Sequence, residues 1–585
     1  MNSQKIENLL NLALDSTEEE REKSMNLDVG YDPQNREWEL IVKYSEGISE
    51  DSDLLANLVK LSYGYGIIRI PASRIPELAA HPAIEYIEKP KRLFFAVNRG
   101  KAASCFSAVQ TPEVDLKGQG IIVAVIDSGV DYFHPDFRKE DGSTRILAIW
   151  DQTSAAGTPP KGFLRGSEFS QEQINQALSL GRREEGYSIV PSIDYSGHGT
   201  EVLGIAAGNG NASGGQYAGG APQSDILVVK LGTPGENAFP STTELMQALE
   251  YVIQKAREYQ KPVAVNLSFG NVYGSHTGTS LLETYINEMA DQWKNVISVG
   301  TGNEGGGRGH ASGRLIPDQT TLLEFAVAEA ETVLNLQLWK NYADEMEIIL
   351  YHPNGESITL GGGQERTGEG AAGAYRYRMG RTELLVYYGM PAPYRVNQEI
   401  YIDFIPAEDF VDSGVWKIEL LPKRITSGNY DLWLPPEQVL NFGTGFRRPS
   451  PDTTLTIPST AEKVISVGAY DSNRMAFASF SGRGYTSYPE KIKPTLVAPG
   501  VNITTTAPGG GYVSVTGTSF AAPFVTAAAA LLMQWGIVNG ADPYLYGEKV
   551  KAYLQRGARK LPGFEQWPNP QAGWGALCVR DSLPV

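Results

Sequence analysis

From Trp38 onward the chain alternates short apolar runs with amphipathic stretches. WELIVKY (38–44), GIIRIP (66–71) and AIEYIEK (83–89) carry strand patterning, while SEDSDLLANLVKLSY (49–63) and ASRIPELAAH (72–81) predict helices. These segments form one small α/β unit, set at 29–95. Residues 1–28 are polar and predict a mobile helical arm outside it. LFFAVNRGKAASCFSAVQ (93–110) predicts an extended, exposed stretch, and 96–110 is assigned as a linker.

QGIIVAVIDSG (119–129), SDILVVKLG (224–232) and KPVAVNLSFG (261–270) are nearly unbroken apolar runs. Such runs mark strands buried on both faces, as in a parallel sheet. KNVISVGTGNEG (294–305) and EKVISVGAYD (462–471) repeat the pattern, and STTELMQALEYVIQKAREY (241–259) has helical periodicity. The alternation predicts a doubly wound, mostly parallel α/β sheet, with active groups at the carboxyl ends of its strands. Residues 143–194 predict a smaller polar insertion with a helix at SQEQINQALSLG (170–181). Between 315 and 454 the texture changes to short alternating runs such as VLNLQLW, EIYIDFI and GVWKIELL. That stretch predicts an inserted all-β domain, a sandwich or jelly roll. The α/β domain is thereby split into 111–314 and 455–585.

The length of 585 residues calls for two or three domains. A net charge of −17 argues against nonspecific binding to nucleic acid or an anionic membrane. Two cysteines, Cys105 and Cys578, are too few for a disulfide framework or a four-ligand zinc site, and a reducing compartment fits them. The N-terminal segment has no basic stretch followed by an apolar one, so no secretory signal is expected. No long unbroken apolar window predicts a membrane span.

Three segments carry chemistry. Asp127 ends a buried run in VIDSGVDYFHPDF, His198 stands in DYSGHGTEVLGIAAG, and Ser519 stands in VTGTSFAAPFVTAAAALLMQWG. Each has a structural alternative: Asp127 could cap a turn, His198 could lie on the surface, and Ser519 could cap its helix. Together they are the parts that make a serine nucleophilic. An imidazole takes the hydroxyl proton, and a carboxylate orients the ring and stabilises its cation.

These segments resemble those of the subtilisin-like serine proteases, in that family's order of Asp, His, Ser. Asn303 in GTGNEG matches the family's oxyanion-hole asparagine, with the Ser519 N–H as the other donor. In a subtilisin, loss of that side chain costs roughly 100–1,000-fold in rate. Ser268, Phe269 and Gly270 match the strand that pairs with substrate and one wall of the pocket for the residue before the scissile bond. Gly300, Thr301 and Gly302 match the opposite wall. The resemblance implies a protein or peptide substrate and no cofactor for catalysis. It admits a structural Ca²⁺ near Asp136, whose His134-Pro135-Asp136 segment resembles a calcium-binding one. Glu201, Phe520 and Phe524 depart from the common pattern, but none removes a proton-transfer group.

The N-terminal unit resembles the inhibitory, folding-assisting prodomain of these proteases; a plain accessory domain is the alternative. The linker would then run through the cleft and be cut by the enzyme itself, somewhere in 94–106. A prodomain without a signal peptide and a β-domain between the asparagine and the serine resemble the Csp proteases of clostridia and related gut bacteria. That resemblance implies a bacterial cytoplasmic or spore setting, with non-classical release left open, and either activation of a precursor such as that of a spore cortex hydrolase or general peptide processing. Two other readings stay open: a pseudoprotease-like sensor or scaffold whose prodomain stays in the cleft, and a carbohydrate- or partner-binding insert with a groove lined by Trp416 and Trp433. His310, close to Asn303 in sequence, is expected on the surface or at the cleft.

Overall fold

The computed structural model describes residues 4–24, 26–45, 53–91, 94–95, 102–232, 240–361, 373–393, 395–487 and 491–584. Its largest sheet has nine strands. Across the sheet run Ala476–Phe477, Ile465–Asp471, Asn295–Gly300, Val263–Leu267, Ile122–Asp127, Asp225–Lys230, Ile146–Asp151 and Ser167–Ser170, with Leu496–Pro499 also paired to Ile465–Asp471. Only the short strands Ala476–Phe477 and Ser167–Ser170 pair antiparallel. Every residue of Ile122–Asp127, Asn295–Gly300 and Ile465–Asp471 is buried, which is why these read as unbroken apolar runs. Helices His198–Ala207 and Thr518–Met533 pack on one face, and Thr242–Glu258 and Leu281–Ala290 on the other. The stretch Thr518–Val538 is long and apolar enough to cross a membrane, but here it is the core helix, 83% buried over its most apolar window.

One strand was hidden within the expected polar insertion. Ile146–Asp151 lies inside the sheet with all six residues buried. Arg145, just before it, is buried too and donates to the carbonyls of Ala207 (2.6 Å) and Ser224 (2.7 Å).

The insert consists of a six-stranded and a five-stranded antiparallel sheet, running from His310–Arg314 to Gly445–Phe446. They share one core, in which Phe325 of one sheet meets Phe404 of the other edge-on at 5.9 Å. Trp416 and Trp433 are fully buried, so neither lines a groove. Trp433 is stacked between His276 and His310, at 3.8 and 4.0 Å between ring centroids. His310 is thus buried rather than exposed, and bonded to Asp431 at 3.0 Å.

The N-terminal unit holds a five-stranded sheet including Glu37–Tyr44, Tyr65–Pro71 and Ile84–Glu88. The expected helix over 49–63 is not formed in its described part. Leu58–Lys60 is a strand, and Tyr63 and Gly64 turn it back at φ 60° and 73° to pair with Tyr65–Pro71. Residues 46–52 lie outside the described residues. The expected mobile arm contains helix Asn8–Asp15, whose Leu9, Leu10 and Leu12 are buried against the sheet of the N-terminal unit and against Leu385 and Tyr387 of the insert. Charged residues at 18–23 masked that apolar face in the sequence.

The second half of the linker is anchored rather than fully exposed: Ser104, Phe106 and Val109 are buried. Phe106 and Val109 join the core of the large α/β domain, with the Phe106 ring 6.3 Å from that of Phe524. Cys105 forms a disulfide with Cys578, 473 residues away in sequence.

Candidate active site

The site gathers at the carboxyl ends of the parallel strands. Asp127 closes its strand, is fully buried, and accepts hydrogen bonds from the Ser128 N–H and His198 Nδ1–H, each at 2.7 Å. Binding through Nδ1 points Nε2, the proton-accepting nitrogen of such a pair, away from the carboxylate. His198 opens helix His198–Ala207 after Gly197, whose φ of 82° turns the chain into it.

Asp194 locks this turn. Its carboxylate accepts from the Gly197 N–H (2.9 Å), the Thr200 N–H (2.9 Å) and hydroxyl (2.7 Å), and the Ser128 hydroxyl (2.8 Å). Ser128 in turn accepts from the Gly199 N–H at 2.9 Å. A Cβ on Gly199 would stand 2.2 Å from the Gly129 carbonyl, so the approach requires glycine. The Phe520 ring meets the imidazole edge-on at 5.2 Å. Asp194 was missed in the sequence; its signal was an acid just ahead of a helix start.

Ser519 is the second residue of helix Thr518–Met533. Pro523 has no N–H with which to bond the Ser519 carbonyl four residues back. The Ser268 hydroxyl supplies that bond at 2.7 Å, and the Ser519 hydroxyl donates to the Ser268 carbonyl at 2.6 Å. Asn266 holds Ser268 by a 2.7 Å bond to its hydroxyl and accepts from Thr526 of the same helix at 3.0 Å.

Asn303 follows strand Asn295–Gly300 through Thr301 and Gly302. Its side-chain oxygen accepts from the Thr518 N–H at 3.2 Å, which leaves the NH₂ end for a ligand in the cleft it lines with Ser519. The Gly302 N–H donates to the Thr518 hydroxyl at 3.0 Å. Gly300, Gly302, Ser268, Phe269 and Gly270 all border this cleft; Thr301 lies behind it, fully buried, its hydroxyl 3.4 Å from that of Ser481. Pro436 and Gln438 of the insert line it as well, which the sequence did not suggest.

Phe269–Gly270 is already paired. The strand Phe94–Phe95 lies antiparallel to it, Phe95 opposite Phe269 and Phe94 opposite Gly270. Residues 96–101, the middle of the expected cleavage region 94–106, lie outside the described residues.

Two carboxyls near the cleft are perturbed. Burial pushes Glu201, one turn beyond His198, up to about 7, against the pull of the imidazole and with the help of Asp194 and Asp127. Burial also pushes Glu304 up to about 7, against hydrogen bonds from the Glu437 backbone and the Gln438 side chain.

The oxygens of Asp136 are taken by the Ala212 N–H and the Tyr512 hydroxyl, both at 2.8 Å. No group of three or more His, Cys, Asp or Glu side chains able to hold an ion is present among the described residues. The donors around Asp136 therefore do not fit a calcium site.

Residues 118–365 and 426–575 match the profile described as the Subtilase family. The chain belongs to the subtilase family. Residues 4–91 match the Csp protease B prodomain, so the N-terminal helix falls within that unit. The CspB protease of Clostridium perfringens is 36% identical and superposes with a TM-score of 0.74, over 82% of this chain and 96% of that one. The minor extracellular protease Vpr of Bacillus subtilis is 23% identical over 88% of this chain. The serine protease AprX of the same organism is 36% identical over 23% of it. The chain spans 60% of the length of Vpr and 33% of that of AprX. The two profile matches and the likeness to CspB mark this subtilase as Csp-type, with a CspB-like prodomain.

Proposed function

We propose that the chain is an autoprocessing serine endopeptidase with Asp127, His198 and Ser519 as its triad. The observation that carries this reading is the strand Phe94–Phe95, which joins the prodomain to the catalytic domain, paired to Phe269–Gly270 beside the Ser519 helix. The chain's own segment lies where an extended substrate would add a strand.

In this reading the Ser519 hydroxyl first leaves the Ser268 carbonyl for His198 Nε2. The imidazole takes its proton, Oγ attacks the peptide carbonyl, and Asp127 stabilises the resulting cation. Charge on the carbonyl oxygen is met by Asn303 and the Ser519 N–H at the helix start. His198 then protonates the leaving amine, and water releases the acyl group from Ser519 by the same steps. The test is hydrolysis of unfolded casein by the purified full chain beside Ser519→Ala. Release of peptides by the first alone supports the reading; equal release or none from either speaks against it.

A second reading has a specific observation behind it. The prodomain is tied into the rest of the chain at several points. The Thr243 hydroxyl donates to Glu39 at 2.7 Å, and Ser62 donates to Glu250 at 2.8 Å. Ser24 donates to Asp403 of the insert, and the Leu281 N–H donates to Glu88 at 3.2 Å. Such anchoring would keep the prodomain in the cleft, as in a sensory or scaffold protein. A wild-type chain that stays whole would favour it. For the active enzyme, we place the substrate among protein precursors in the bacterial cytoplasm or spore, such as that of a cortex hydrolase. Shortening of that precursor on mixing tests the assignment.

A further inference from the structure

His198 stands among several carboxyls, and one of them makes no bond at all. Asp127 holds the ring at 2.7 Å. Asp194 is engaged by the N–H groups and hydroxyls of its turn. Asp131 is paired with Arg183 at 2.6 Å. Lys230, on the strand beside that of Asp127, is held by Asp151 at 3.4 Å and the Ile193 carbonyl at 2.9 Å. Glu201 differs from all of these. Its carboxyl has no hydrogen bond or ion pair among the described residues, and the charges acting on it are those of His198, Asp194 and Asp127.

Glu201 lies three residues after His198 in the first turn of the same helix. Side chains at that spacing share a face, with Cβ atoms about 5–6 Å apart. Helical side chains also lean toward the N-terminus. This one follows the rule: its Oε1 lies 3.7 Å from where a Cβ on Gly197 would stand. The carboxyl thus folds back toward His198 rather than along the helix. Pro508 of the hairpin lies 3.1 Å from the same point, and the Thr505 hydroxyl donates to the Glu201 carbonyl at 2.6 Å. The side chain is therefore half-buried between helix start and hairpin. Neither the hairpin 503–515 nor helix Thr518–Met533 carries an Asp, Glu, Lys, Arg or His that could pair with it. A half-buried carboxyl with no partner costs stability, so no role in holding the fold accounts for it.

We propose that Glu201 acts through His198: its carboxylate stabilises the imidazolium formed when Ser519 gives up its proton, and it sets the pH at which the histidine becomes a working base. The proposal rests on the protease reading above and adds to it a residue outside the triad. The charge has two effects of opposite sign. In the resting site it favours the protonated ring, which cannot accept the serine proton. In the reacting site it makes the imidazole a stronger base.

The experiment is the pH profile of kcat and kcat/KM on a peptide substrate for wild type, Glu201→Gln and Glu201→Asp. It is paired with an NMR titration of the His198 Nδ1–H proton in the full chain carrying Ser519→Ala, with Glu201 intact or as Glu201→Gln. Glutamine keeps the shape and removes the charge. In Glu201→Gln the acid limb of kcat/KM should move to lower pH by about one unit, and the plateau kcat should fall about 3- to 10-fold. The NMR midpoint should fall by the same amount, and Glu201→Asp should lie between the two. An acid limb that stays in place, whatever the plateau does, overturns the proposal, because a merely structural role moves only the plateau. A limb that moves to higher pH overturns it as well. So does a kinetic shift with no shift in the NMR midpoint, which assigns the limb to another group. Wild type that cuts no peptide removes the protease reading instead; the NMR midpoint then decides alone whether Glu201 acts on His198, a lowered value upholding the contact and an unchanged one overturning it.

Discussion

Ser268 and Ser519 are joined twice, the hydroxyl of each donating to the main-chain carbonyl of the other at 2.7 and 2.6 Å. The first bond exists because Pro523 cannot bond the Ser519 carbonyl. Replacing Ser268 with alanine leaves that buried carbonyl without its donor, which costs about 1–3 kcal/mol. Ser268→Ala should lower kcat by about 10-fold or more with little change in KM, because the helix start that aims the nucleophile loosens. Steady-state kinetics on a peptide substrate checks this.

Asn303→Ala should leave the chain folded and lower kcat by roughly 100–1,000-fold, the cost of one oxyanion donor. Asp127→Asn should cost about 10⁴-fold by disturbing the histidine tautomer. Comparing kcat with KM for both variants separates lost transition-state binding from lost substrate binding.

The contact between prodomain and insert should respond to pH. Burial pushes Asp403 up to about 7, opposed by the hydrogen bond from Ser24, with Asp28 and Glu20 nearby pushing the same way as burial. Burial also pushes Glu399 up to about 7, aided by Glu7 and opposed by Arg395, Lys91 and the Asn8 bond. Freed of the contact, such groups return toward about 4. The docked form therefore holds more protons between about pH 4 and 7. Its extra stability is full below that window and is lost as pH rises through it. After processing, prodomain retention on a sizing column should fall between pH 5 and about 8. Asp403→Asn should flatten that profile.

Neither Cys105 nor Cys578 should react with a thiol reagent in the folded, unreduced chain. Both should react after reduction and unfolding. The bond fastens the segment that follows the N-terminal unit to the C-terminal end of the described chain. Cys105→Ser should lower the thermal midpoint, at a cost of about 2–5 kcal/mol. Labelling followed by mass measurement, and a melting curve, check both statements.

Much of the catalytic domain was legible because its strands are buried on both faces. Ile122–Asp127 and Asn295–Gly300 leave no polar position to blur the pattern, and Asp127, His198, Asn303 and Ser519 stand next to such elements. Ile146–Asp151 escaped because polar segments flank it on both sides. Helix Asn8–Asp15 escaped because charged residues at 18–23 follow it and its apolar face has partners only in the tertiary structure, on the N-terminal sheet and the insert. The sequence tied the depth of the pocket to Thr456 and its neighbours, but the insert ahead of them hid how they sit. Thr456 reaches Gly302 only after the whole β-domain has been folded out between them. Asp194 acts through backbone N–H groups, which a side-chain pattern does not reveal.

The central claim is that Ser519 cuts its own chain. The direct measurement is the intact mass of purified wild type beside Ser519→Ala, unfolded under reducing conditions. Two fragments from wild type, with the smaller holding the prodomain, and one whole chain from the variant are the predicted result. Whole chains from both, or the same two fragments from both, would contradict it.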